Sequence, residues 1–224
     1  MIAFDRKTRI VSVMNTATQS TAELVRSHIE AAPQGEPFSS VELLSLGTRA
    51  AVDSALSRLT KEGFITRITR GVYVRPLYNE YIGEVTPNSY KIAEAVARTT
   101  GAVIGLNGAE AARGFALSTQ MSMQPLYLTT GPTRVISVGK AQIRMRHTSP
   151  RKLALAGRPA GMALTAMYYL GKEELTPAVI GAIREKLPLA EFETLSASTK
   201  IMPAWMSDVI YRYMNENIKG KQVA

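Results

Sequence analysis

The chain has 224 residues, 46% of them hydrophobic and 20% charged, with a net charge of +9 and no cysteine. That apolar share belongs to globular rather than disordered chains, and the missing thiols exclude disulfides, thiol chemistry and thiolate metal sites. The excess of Lys and Arg favours a polyanionic partner, because each phosphate contact releases condensed counterions.

Residues 1–19 carry no clean period and read as a basic arm containing Arg6, Lys7 and Arg9. No apolar run nears the roughly 18 residues that cross a bilayer, and no apolar stretch with a small-residue cleavage site follows the first charges. The expected location is therefore the cytoplasm, with no membrane contact. From residue 20 the pattern becomes helical. Ser20 or Thr21 is a good N-cap, Glu23 stands where a capping box uses it, and Leu24, Val25, His28, Ile29 and Ala32 follow at helical spacing before Pro33 and Gly35. A short second helix starts at Ser39 or Ser40 and ends at Gly47. Thr48 caps a third, with Val52, Ala55, Leu56 and Leu59 as its buried stripe and Gly63 as its stop. The run Phe64 to Pro76 then reads as a hairpin about a tight turn at Arg70-Gly71. Helix, short helix, long helix and hairpin are the order of a winged helix-turn-helix, assigned to residues 20–78.

Composition shifts between Pro76 and Pro87, a candidate linker, and a mixed α and β domain follows over 88–224. Its expected elements are helices at 89–101 and 107–115, strands at 126–129, 134–138 and 141–147, then helices at 162–170, 177–186 and 203–218. In the last, Trp205, Val209, Tyr213 and Met214 suggest a docking stripe. The whole chain is thus an α+β protein. Strand alternation puts Gln142, Arg144 and Arg146 on one face of their strand and Ile143 and Met145 on the other.

In the first domain, a buried stripe at Val52, Ala55, Leu56 and Leu59 turns Arg49, Ala50, Asp53, Ser54 and Ser57 outward, with Arg58 and Lys61 nearer the helix end. The guanidinium fork of Arg49 matches the O6 and N7 edge of guanine. Asp53 can accept from a cytosine amine or simply orient Arg49. Thr48, Ser57 and Lys61 suit phosphate positioning, and Thr66, Arg67, Thr69 and Arg70 would supply the wing. Against this stands the plain alternative of a solvated helix face and a charge-protected edge strand.

The second domain lacks catalytic signatures. Only His28 and His147 are available as imidazoles, the glycines at 101, 105 and 108 fit no phosphate-binding loop, and carboxylates are sparse through the middle of the chain. No enzyme, metal or cofactor is expected. Between Glu110 and Glu173 lie nine basic residues and no acidic one. Within that stretch Arg134, Lys140, Arg144, Arg146, Arg151 and Lys152 form a candidate surface for nucleic acid or an acidic protein partner, or a solvated face.

Three segments carry a likeness to a known family: Ala55-Leu-Ser-Arg-Leu with Gly63-Phe-Ile, then Thr69-Arg-Gly-Val-Tyr-Val-Arg-Pro76, and Leu117-Ser-Thr-Gln through Tyr127-Leu-Thr-Thr-Gly131. Over about residues 20–170 the chain resembles the AbiEi-like antitoxins and transcriptional regulators of bacterial abortive-infection operons. The resemblance implies a winged-helix domain that binds inverted repeats in its own promoter as a repressor, with a homodimer on DNA as one arrangement. It also implies a second domain linked, without need of a stable complex, to neutralising a nucleotidyltransferase-like toxin. DNA binding carries over to the third helix and to the Thr69–Tyr73 hairpin, Tyr73 included; no catalytic residue carries over. Two other readings stay open: a ligand-responsive transcription factor, and an RNA-binding protein using the basic segment 113–172.

Overall fold

The computed structural model describes residues 19–81, 83–139 and 141–222, with side chains up to residue 216. Apart from Gln19, the expected basic arm lies outside the described residues, as does Lys140. The chain is a mixed α+β protein, and its described residues form three hydrophobic cores.

The first core is built by α1 (Thr21–Ala31), a 3-10 helix (Ser40–Leu46) and α2 (Arg49–Lys61). Both capping boxes close: Ser20 with Glu23, and Ser39 with Glu42. Each satisfies two backbone N–H groups that a helix start leaves without partners. The Glu23 carboxyl is held below its usual range by the Ser20 backbone N–H and hydroxyl. The second helix is 3-10 rather than α. Its seven residues end at Gly47, where an added Cβ would stand 2.4 Å from the Thr21 hydroxyl oxygen, so α1 approaches too closely for a larger residue. Val52, Ala55, Leu56 and Leu59 of α2 are buried against Val25, Ile29 and Leu43.

Strands β2 (Thr66–Thr69) and β3 (Val72–Val74) form the hairpin, with Gly71 at φ +75° in its turn. Sequence reading missed β1 (Pro37–Ser39), which pairs antiparallel with β3 and makes it the central strand of three. The candidate linker holds a small exposed hairpin of β4 (Tyr78–Asn79) and β5 (Gly83–Glu84).

The second core lies between α3 (Ser89–Arg98) and one face of a four-stranded sheet. The strands are β6 (Ile104–Leu106), β7 (Leu126–Thr129), β8 (Arg134–Val138) and β9 (Ala141–His147), in the order β6-β7-β9-β8, with β7 and β9 parallel. Ile92 and Val96 of α3 meet Ile136, Ile143 and Met145 there. This core also takes in Val72 of β3, fully buried, and Ile68 of β2 packs against it. The first hairpin is therefore docked on the second unit along one side. The ion pairs Lys91–Glu36 and Arg98–Glu42 (3.3 Å) join the same two parts at the surface.

The third core is helical: α4 (Gly108–Gly114), α5 (Pro159–Glu174), α6 (Pro177–Lys186), α7 (Leu189–Ala197) and α8 (Ala204–Gln222). On α8 the inward stripe is Met206, Val209 and Ile210, with Trp205 and Tyr213 partly buried; Met214, expected in the stripe, is exposed. No helix among the described residues is long and apolar enough to cross a membrane.

Candidate nucleic-acid interface

The outward face of α2 follows from its inward one. With Val52, Ala55, Leu56 and Leu59 buried, the 3.6-residue repeat leaves Arg49, Ala50, Asp53, Ser54, Ser57, Arg58 and Lys61 exposed. Thr48 caps the helix, its hydroxyl oxygen accepting from the Ala51 N–H at 3.3 Å. Arg49 and Asp53 pair at 3.5 Å one turn apart, with side chains 63% and 53% exposed, so the pair orients the guanidinium without burying it. Arg58, Lys61, Arg67 and Arg70 make no ion pair among the described residues.

On the hairpin, Thr66 and Arg67 are exposed, and the Arg67 Nε donates to the Thr69 carbonyl at 3.3 Å. Tyr73 is turned inward: half-buried, it stacks on Phe38 with ring centroids 6.1 Å apart and joins the first core. Its place is structural, because β1 lies alongside β3 and supplies the ring it covers.

The hairpin tip does not stand free. Gly71 lies between the Ser40 hydroxyl and Thr99 at the end of α3, which an added Cβ would meet at 3.4 and 3.5 Å. A crevice of about 310 Å³ opens at this junction, and Arg49, Arg70 and Arg134 line it together with Ser40, Thr69 and Thr99. The hydroxyls from the 3-10 helix and the end of α3 had no sequence signal, because they reach this place through contacts between segments far apart in the chain.

The basic segment of the second unit is divided rather than continuous. Arg134 stands opposite Met145 in the β8–β9 ladder, and Val135 stands opposite Arg144. Directly opposed residues share a face, so Arg134 lies on the α3 side while Arg144 and Arg146 point out from the other. Arg151 serves the fold: its Nε donates to the Ile201 carbonyl at 2.6 Å, and a terminal nitrogen donates to those of Lys200 and Met202. Lys152 sits over the Tyr168 ring, 5.1 Å from its centroid. Burial also pushes the Tyr168 phenol up. Arg144, Arg146 and Lys152 thus remain open to solvent, and the expected single surface resolves into separate places. No cluster of three or more His, Cys, Asp or Glu side chains that could hold a metal ion occurs among the described residues.

Residues 24–195 match a family described as a family of unknown function, DUF6088. The chain belongs to that family. Among solved structures, the RV2827C protein from Mycobacterium tuberculosis is 12% identical over 84% of this chain and 79% of that one, at a TM-score of 0.34. No curated protein matches. The DUF6088 segment runs from within α1 to within α7, and so takes in the exposed row of α2, the docked hairpin and the crevice between them and β8.

Proposed function

We propose that this DUF6088 protein is a DNA-binding transcriptional repressor whose first unit is a winged helix-turn-helix. The observation that carries the reading is the exposed row of α2, beginning at Arg49 and standing on a fully buried stripe. Such a helix can enter a major groove with its first turns against base edges. The order α1, β1, 3-10 helix, α2, β2, β3, with β1 paired to β3, supports the same reading, as does the absence of an acidic partner for Arg70 among the described residues. In this reading the protein works in the cytoplasm without enzymatic activity, and two copies bind an inverted repeat in their own promoter. Its likeness to AbiEi-like regulators supports a further role as the antitoxin to a nucleotidyltransferase-like toxin.

The test is binding to the chain's own upstream promoter against a scrambled duplex over a range of salt. Sequence-selective binding supports the repressor. Equal, purely salt-driven binding to both duplexes refutes it, and a preference for structured RNA at matched salt transfers the role to RNA.

One observation favours a second reading, a ligand-responsive regulator. A largely apolar cavity of about 420 Å³ lies between α3, β6 and the start of α5, lined by Tyr90, Leu106, Leu153, Met162 and Thr165. Burial pushes the Tyr90 phenol up, so at neutral pH it is an O–H donor at the edge of an apolar space. A small apolar compound that stabilises the protein and changes promoter affinity would establish this reading. One that stabilises it without changing that affinity would reduce the cavity to a packing feature.

A further inference from the structure

The crevice at the junction of the two units gathers three arginines from three elements: Arg49 in the first turn of α2, Arg70 at the hairpin tip and Arg134 at the start of β8. We propose that it is a phosphate-binding site and that, on duplex DNA, it takes one backbone phosphate, so that the second unit contacts DNA through Arg134. The DNA source of that phosphate rests on the function proposed above; the anion chemistry of the crevice does not.

Charge balance makes the first part of the case. Among the described residues no Asp or Glu lines the crevice. Of the carboxylates near it along the chain, Glu42 is engaged with Arg98, outside the lining, and Asp53 pairs with Arg49 alone. Arg134 is half-buried, and neither it nor Arg70 has an ion pair or a side-chain hydrogen bond among the described residues. The two uncompensated guanidinium groups, Arg70 and Arg134, repel one another across this space, and an anion between them turns that cost into attraction, while Arg49 with its Asp53 partner stays at the rim, free for a base edge.

Donor geometry makes the second part. The Thr99 hydroxyl donates to the Val96 carbonyl at 2.7 Å, and that of Thr100 to the Ala97 carbonyl at 3.1 Å. Those protons are used within the end of α3, so the donors left in the crevice are the Ser40 and Thr69 hydroxyls and, carrying the charge, the guanidinium N–H groups. Their planar forks fit phosphate oxygens two at a time. The hairpin cannot swing away from this arrangement, because Val72 is buried in the second core. The clamp is therefore formed before any ligand arrives.

The experiment uses the full chain and the variants R134A, R134K and R70A. Thermal stability is measured with inorganic phosphate against chloride at equal ionic strength, and binding to promoter and scrambled duplexes is followed over a salt series. Phosphate is expected to raise the melting temperature of the parent, to do so less with R134K, and to have no effect on R134A or R70A. On DNA, R134A should lower the slope of log K against log salt by about 1 and weaken both duplexes equally, as removal of one phosphate contact requires. Phosphate stabilisation lost in R134A without any duplex binding would keep the site and abandon the DNA reading. Selective promoter binding with the parent's salt slope in R134A, and no phosphate effect on the parent, would overturn the clamp and leave the repressor standing.

Discussion

The arginines around the crevice and those of the helical region differ in what their guanidinium groups touch. Arg113 pairs with Glu110, Arg158 binds Glu191 and Thr194, and Arg151 spans three backbone carbonyls. The first pair lies within α4, and the other two tie separate elements of the second unit together. Arg70 and Arg134 close nothing within the protein, and Arg49 meets only an exposed carboxylate one helical turn away. Both sets stand in a basic chain and look alike as charges. The donors of the first set are taken up by the fold, whereas Arg70 and Arg134 have no such partner among the described residues and stand available to an outside anion.

The comparison breaks most sharply at Gly161, near the start of α5. An added Cβ there would lie 1.9 Å from the Leu155 carbonyl oxygen, a backbone atom with no room to yield. Gly161→Ala is expected to destabilise the chain by about 3 kcal/mol in urea unfolding, an overpacking penalty. The fraction that remains folded should keep the parent's DNA affinity. Loss of affinity in that folded fraction would show that the helical region and the crevice are one coupled unit.

Arg49→Ala should do the reverse. Its effect on promoter binding is a loss of about 2 kcal/mol, concentrated at one base position, as for a bidentate contact to guanine. The melting temperature should barely move, because the Arg49–Asp53 pair is exposed and such pairs add only about 0.3–0.5 kcal/mol. An equal loss on scrambled duplex would move Arg49 from base reading to phosphate contact. Arg151→Ala returns to the structural set: a stability loss of about 1.5 kcal/mol from charged donors removed at three carbonyls, with unchanged nucleic-acid affinity. Weakened binding without destabilisation would restore Arg151 to the interface.

Much of this molecule was legible where local chemistry decides it. The strands 126–129, 134–138 and 141–147 and the helix 177–186 stand where alternation, turn residues and Pro177 placed them. The buried stripe of α2 did as well, and with it the exposed row. Helix α7 was missed because Pro188 leads into it without a side-chain cap and its nine residues carry two buried positions, Phe192 and Leu195. Strand β1 was missed because three residues exist as a strand only through pairing with β3. The crevice was illegible for the same kind of reason. A period of two says that Arg134 and Val135 face opposite ways, but the register that sets Arg134 against Met145, on the α3 side, is a property of the folded sheet. Val72 reads as an ordinary wing residue until the second core closes over it.

The smallest effect belongs to Glu191 on α7. It accepts from the Arg158 Nε and a terminal nitrogen at 3.2 and 2.9 Å and from the Ala160 N–H at 3.1 Å, tying α7 to the start of α5. The Arg158 guanidinium first, and the Ala160 N–H next, hold its carboxyl below the usual carboxylate range. A carboxyl with a lowered folded pKa adds its stability in full above its unfolded value, about 4.3, and loses it as acid carries the pH down through the folded value. Glu191→Gln should therefore cost a little stability at neutral pH and nothing once both states of the parent are protonated, so the two unfolding curves converge on acidification. Curves that stay parallel down to strong acid would mean that α7 is held by Phe192 and Leu195 alone. Arg158 would then join the arginines that the fold leaves free.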